Sequence, residues 1–270
     1  MQGERKAEGA GGVGENYQLP ITNYQSKIQN LKSKISLTGI VLAGGQSSRM
    51  GQDKALLDIQ GRPMLQRVCD VAIALCDRVY IVTPWPERYQ HLLSPPCQLI
   101  REVLSFEEGN IREQGEQGEQ QPTTNYQLPI TNYQLPIQNP KSKIQNQITN
   151  SPIVGFAQGL ACVRTDWVLL LACDLPQLQV EVLQDWAAQL DKVAAEAIAL
   201  LPQHTKGWEP LCGFYRRSCL TALTRYINQG GRSFQQWLAQ HPVQALPLND
   251  RQILFNCNTP ADYAALQKVN

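Results

Sequence analysis

Short apolar runs alternate along this chain with stretches of helical spacing, and that alternation narrows the fold more than any other feature. Gly39–Ala43, Arg78–Thr83 (RVYIVT) and Trp167–Cys173 (WVLLLAC) read as strands, the first and last as buried ones. Gln98–Glu102, Ala195–Leu201 and Leu211–Tyr215 are further strand candidates. Between them, Pro63–Leu75, Ile153–Val163, Leu178–Leu190 and Ser218–Ile227 carry helical apolar spacing, with Pro63 suited to a first turn. TPADYAALQ closes the chain as a helix capped by Thr259, with Pro260 in its first turn. Strands alternating with helices predict an α/β fold: an open, mostly parallel sheet with helices on both faces. Ligands in such folds bind at the carboxyl ends of the strands.

The 270 residues are 43% hydrophobic, ample for a core, and carry a net charge of +1. That balance gives no electrostatic argument for nucleic acid or a membrane surface as partner. No apolar run approaches the roughly 20 residues of a membrane span, and the polar, Gly-rich start lacks the apolar core of a secretory signal. The eight cysteines are scattered with no CxxC pair, so a zinc site is not expected and several read as reduced core residues. These features describe a soluble, cytoplasmic protein.

Two segments stand apart. Residues 16–35 (NYQLPITNYQSKIQNLKSKI) and 125–144 (NYQLPITNYQLPIQNPKSKI) match at seventeen of twenty positions, and TNYQLPI occurs twice in succession from Thr124 to Ile137. Recurrent Pro129 and Pro136 rule out a heptad coiled coil, and two distant copies do not make a solenoid. The Gln/Asn/Lys-rich composition offers little to bury. A seven-base DNA repeat read in threes yields a seven-residue protein repeat, so both segments read as translated tandem-repeat DNA. Residues 1–36 are therefore expected to form a disordered tail. Residues 37–270 are expected to form a single domain, interrupted by a low-complexity insertion at about 113–150.

The chemistry concentrates in LAGGQSSRMGQDK, after the first strand. Glycine-loop N–H groups make an anion-binding concavity, and Arg49 and Lys54 add positive charge, which suits a polyphosphate. The spacing is neither Walker A nor GxGxxG. Asp174 follows the buried strand in LLLACDLP, the place where an α/β enzyme sets a Mg²⁺ ligand, although a turn aspartate before Pro176 would look the same. Asn256, Asn258 and Thr259 in NCNTP need nothing beyond a turn into a capped helix. GWEPLCGFY and GGRSFQQWL read equally as substrate loops or as surface corners, with Arg232 a solvated charge. The three histidines are isolated and receive no role.

Together LAGGQSSRMGQDK, SPIVGFAQGL, CDLP, EPLCGFY and NCNTPADY resemble the molybdenum cofactor guanylyltransferase family, within the wider nucleotidyltransferases, in family order over most of residues 38–268. Asp53, where sugar-phosphate nucleotidyltransferases typically have proline, is similar to the molybdopterin branch. The resemblance implies a Rossmann-like domain that transfers GMP from GTP to molybdenum-loaded molybdopterin, releasing pyrophosphate. It implies that Leu42, Ala43 and Gly44 meet the nucleotide through backbone groups, that Lys54 contacts its phosphates, that Arg49 adds charge near the leaving pyrophosphate, and that Asp174 holds Mg²⁺. Glu102 stands where the family carries an aspartate, Val82 or Thr83 where it carries an asparagine, and Ser151 where it has glycine. Molybdoenzyme acceptor or delivery proteins are further implied partners. A cytidylyltransferase, a sugar-phosphate nucleotidyltransferase, or an insertion-impaired nucleotide-binding protein are the alternatives.

Overall fold

In the computed structural model, residues 35–45, 50–103, 151–205, 207–248 and 250–267 are described. The chain opens with strand β1 (Leu37–Leu42), whose residues are nearly all buried. A 3-10 turn at Lys54–Leu56 leads into a small antiparallel hairpin of β2 (Asp58–Ile59) and β3 (Arg62–Pro63). Helix α1 (Met64–Leu75) returns the chain to β4 (Arg78–Thr83), and the short helix α2 (Pro86–Tyr89) leads to β5 (Cys97–Arg101). After residues 104–150 come α3 (Pro152–Ala161), β6 (Trp167–Ala172) and α4 (Val180–Ala187). The last part holds β7 (Ala199–His204), β8 (Gly207–Trp208), β9 (Cys212–Arg216), α5 (Leu220–Asn228), α6 (Phe234–Leu238), β10 (Val243–Leu246) and α7 (Pro260–Gln267).

The main sheet runs β10-β7-β9-β6-β1-β4-β5, with β8 paired to β7. β1 lies at its centre, parallel to both β4 and β6, with Leu42 level with Val82 on one side and Ala172 on the other. β5 extends the parallel set beside β4, and β10 lies parallel to β7. Only β9 opposes its neighbours β6 and β7 in this row. The expected mostly parallel sheet is therefore present, with β9 reversed and the two-residue β8 antiparallel to β7.

Consecutive residues of one strand bury on opposite faces. Val41 joins Leu65 and Val68 of α1 and Leu183 and Trp186 of α4, while Ile40 joins Phe156 and Leu160 of α3, Leu223 of α5 and Trp237 of α6. This is why β6 reads as an unbroken apolar run and β1 as nearly one: a strand covered on both faces has no solvent side to mark with polar residues. α3 lies close on the sheet because a Cβ at Gly159 would stand 3.0 Å from both Ile40 Cγ2 and Val82 Cγ2. Burying one such aromatic as Phe156, fully enclosed, is worth about 3–5 kcal/mol against alanine.

Several boundaries move from their sequence positions. β7 starts at Ala199 rather than Ala195, because the preceding residues go to a 3-10 turn at Leu190–Lys192 and a turn in which the Ala197 N–H donates to Ala194 O. GGRSFQQWL is not an open loop: Ser233 accepts from the Gln236 N–H and caps α6. The closing helix begins as expected, with the Asp262 N–H donating to Thr259 Oγ1 at 3.2 Å.

Candidate active site

From β1 the chain moves outward to β4 and β5, then returns to the other side of β1 to make β6. The carboxyl ends of β1 and β6 therefore flank the point where the strand order reverses, the natural crevice of an open parallel sheet. A cavity of about 550 Å³ lies there, lined among others by Ala43, Gly44, Lys54, Glu102, Gly155 and Asp174.

Lys54 is placed by its neighbour. Asp53 caps the 3-10 turn by accepting the Ala55 N–H at 3.1 Å, and its other carboxylate oxygen accepts the Tyr89 hydroxyl at 2.8 Å and pairs with Arg88 at 3.5 Å. Asp53 is thus tied into the fold, and the side chain that follows it projects into the cavity. Lys54 Nζ donates to Asp174 Oδ2 at 3.0 Å and to Asn258 Oδ1 at 2.7 Å. Both members of the ion pair are mostly shielded, with side-chain exposures of 15% and 17%.

Asn258 was indistinguishable from a turn residue in the sequence. Asp262 Oδ2 accepts the N–H groups of both Asn258 (3.0 Å) and Thr259 (2.8 Å), completing a reciprocal cap with Thr259. The Cys257 N–H donates to the backbone carbonyl of Asp174 at 3.0 Å. The start of α7 is thereby stitched to the tip of β6, and Asn258 is aimed at Lys54 across 204 residues of sequence. No local pattern exposes that contact.

Glu102 lies on the other side of β1, just past β5. Its N–H donates to Thr83 O at 2.8 Å, and its carboxylate rests on two glycines: an added Cβ would come within 2.6 Å of Oε2 at Gly44 and 3.3 Å of Oε1 at Gly155. Glu102 is buried, and desolvation raises its pKa from 4.5 to about 7. Between pH 4.5 and 7 the folded chain holds a proton that the unfolded chain has released. Stability therefore falls as pH rises through this window, and the full burial cost is present above it. Glu102→Gln is expected to stabilise the protein by about 1–3 kcal/mol at pH 8 and by little at pH 4.5, read by denaturant melts; an equal effect at both pH values would contradict this.

The remaining sequence candidates separate clearly. Leu42, Ala43 and Gly44 line the cavity, as does Ser151, whose hydroxyl donates to Arg232 O at 2.7 Å. Arg49 lies outside the described residues. Arg232 is half-buried, and its Nη1 donates to Ile227 O and Gly231 O at the end of α5. Glu209 pairs with His204 at 3.0 Å, while Leu211 of the same stretch reaches the cavity. Thr83 is fully buried and accepts the Trp85 N–H. Burial and the adjacent Asp174 hold the Cys173 thiol far above its ordinary range, so it is a neutral wall rather than a nucleophile.

The family model for the MobA-like NTP transferase domain matches residues 39–110 and 138–245. The chain belongs to the MobA-like NTP transferase family. It is 54% identical over 232 residues to a probable molybdenum cofactor guanylyltransferase of Nostoc sp., covering 86% of this chain and 91% of that one. Molybdopterin-guanine dinucleotide biosynthesis protein A of Archaeoglobus fulgidus shares the fold at a TM-score of 0.59 and 20% identity, covering 86% of this chain and 97% of that one. Rv0371c of Mycobacterium tuberculosis, solved in complex with manganese, aligns with a TM-score of 0.52 at 15% identity, covering 87% of this chain and 100% of that one.

For a nucleotidyltransferase the cluster has a clear chemical capacity: a lysine to meet phosphate oxygens and a carboxylate beside it. Asn258→Ala should lower kcat/KM for the nucleotide about tenfold by releasing Lys54 from one of its acceptors. Thermal melting should move little, since the Asp262 cap stays. Unchanged kinetics would show that Lys54 is positioned adequately without Asn258.

Proposed function

We propose that the chain transfers GMP from GTP to molybdenum-loaded molybdopterin, forming the guanine dinucleotide form of the cofactor and pyrophosphate. The observation that carries this reading is Lys54 Nζ bridging Asp174 and Asn258 at the reversal point of the sheet. The names of the relatives supply the acceptor and the base.

The nucleotide lies across the tip of β1. Its triphosphate sits on the β6 side, where Lys54 meets phosphate oxygens and the backbone groups of Leu42, Ala43 and Gly44 approach the nucleotide; Arg49 adds charge near the leaving pyrophosphate. Its nucleoside reaches the β5 side, where the Glu102 carboxylate accepts a base N–H or a ribose hydroxyl. A phosphate oxygen of molybdopterin attacks the α-phosphorus, the new P–O bond forms, and the bond to the β-phosphate oxygen breaks with its electrons leaving on pyrophosphate. Such a transfer needs positioning and charge neutralisation more than covalent help.

Among the described residues no group of three or more His, Cys, Asp or Glu side chains could cage a metal. A single strand-tip carboxylate instead fits Mg²⁺, which keeps waters and shares its coordination with substrate phosphates. Asp174 would hold it, and the ion would supply positive charge to the triphosphate. Among the described residues no helix is long and apolar enough to cross a membrane; the location proposed for the protein is cytoplasmic. Molybdoenzyme acceptor or delivery proteins complete the proposed partners.

We also propose that the tail of residues 1–36 and the insertion at about 113–150 lie outside the working domain, 37–270. The family match begins at residue 39 and skips residues 111–137, which supports the tail and the first part of the insertion; it resumes at residue 138. Excising 111–137 should leave kcat/KM within about twofold; a many-fold rise would mark the insertion as inhibitory, and loss of folding would make it structural.

The function is tested by pyrophosphate release with Mg²⁺ and metal-loaded molybdopterin, with GTP, CTP and ATP supplied separately. Release with GTP alone is expected. Release with CTP alone would assign the sister activity, and release with none would refute the transfer.

A further inference from the structure

Gln158 is the only polar residue between Ile153 and Val163, and it is 3% exposed. Gly155, three positions before it, is its neighbour on α3, and Gly159 is in turn four positions beyond Gly155. Both glycines draw the helix down onto the strand ends, Gly155 under the Glu102 carboxylate and Gly159 onto Ile40 and Val82. At that closeness the Gln158 amide reaches the backbone beyond β5. The Val103 N–H donates to Gln158 Oε1 at 3.0 Å, and Gln158 Nε2 donates to Val103 O at 3.2 Å.

This is the two-bond exchange of a strand neighbour, made by one side chain at the edge of the sheet. β4 ends at Thr83, whose carbonyl takes the Glu102 N–H, so β4 offers no further residue to Val103. The amide has its oxygen and nitrogen each matched to a complementary group, which fixes its orientation. Residues 104–150, with the sequence repeat, follow directly.

We infer that Gln158 is a positioning residue for Glu102: it locks the peptide after Glu102 so that the carboxylate stays on the Gly44–Gly155 shelf and faces the nucleoside, whatever the adjoining segment does. Gln158 touches no substrate. Its effect passes through Glu102 and rests on the proposed nucleoside role of that residue.

The test is a double-mutant cycle in the full-length protein, reading KM and kcat for GTP, the GTP dissociation constant by equilibrium dialysis, and the melting temperature. Gln158→Leu, of similar size without hydrogen-bonding groups, should raise KM and the dissociation constant about tenfold with kcat within about threefold. Glu102→Gln should raise KM by a similar factor, and adding Gln158→Leu to it should raise KM less than twofold further. Gln158→Met provides the same readings if the leucine variant does not fold. Equal KM increments from the Gln158 variants with and without Glu102 would overturn the inference, as would a loss confined to kcat. If Glu102→Gln alone left GTP binding and KM unchanged, the nucleoside role of Glu102 would fall, and the inference with it; ITP and 2′-deoxy-GTP in the same assay separate a base contact from a ribose contact.

Discussion

Asp174→Asn is expected to lower turnover by about three orders of magnitude while leaving the protein folded. Asparagine keeps the shape and retains an oxygen to accept from Lys54 Nζ, now 3.0 Å from Asp174 Oδ2. The backbone carbonyl of residue 174 still takes the Cys257 N–H, so β6 and the α7 entry remain joined. What disappears is one negative charge at the strand tip. Without it Mg²⁺ has lost its proposed protein ligand, and a thousandfold loss corresponds to about 4 kcal/mol of transition-state stabilisation, within the range of metal and charge clamps on phosphoryl groups. The checks are single-turnover kinetics over a Mg²⁺ titration and a thermal melt. Wild-type turnover at limiting Mg²⁺ would remove Asp174 from the metal role.

Lys54→Ala is expected to lower kcat/KM about 100- to 1,000-fold. The lysine is the cation that joins β1's loop, β6 and the start of α7, through Asp174 and Asn258. Its loss removes charge from the triphosphate and leaves Asp174, mostly shielded, without that counter-charge. A stability loss of about 1–2 kcal/mol should follow, reduced from the fully buried case because water still reaches both partners. Lys54→Arg should recover only part of the activity, because a planar guanidinium does not replace a compact ammonium donating to Asp174 and Asn258. The measurement is steady-state kinetics beside a denaturant melt. Unchanged kinetics in the alanine variant would defeat the phosphate role.

The parts of this fold that were readable share one property: their physics is local. β1, β4 and β6 announce themselves because strands buried in a parallel sheet are mostly apolar on both faces. The glycine loop and Asp174 could be placed because ligand crevices form at strand ends. β10 (VQAL) is only partly buried and carries a polar residue, so it lacked that signal. α6 is five residues long, too short for helical spacing to show. Asn258 and Gln158 were missed for a different reason. Each looks ordinary in its own segment, a turn residue and a stray amide, and acquires its role from a partner that only the folded chain brings near: Lys54 for one, the Val103 backbone for the other. Asp53 was noted only as a family marker, yet its carboxylate anchors the turn that presents Lys54.

The central claim is a transfer at the α-phosphorus of GTP to molybdopterin, and isotope position tests it most directly. Purified protein is incubated with Mg²⁺, metal-loaded molybdopterin and GTP labelled at either the α or the γ phosphate, and the label is followed by chromatography. The account predicts α-label in a pterin dinucleotide and γ-label in pyrophosphate, in equal amounts. Label from the γ position appearing in the pterin or in free phosphate, with α-label staying in GDP, would contradict it.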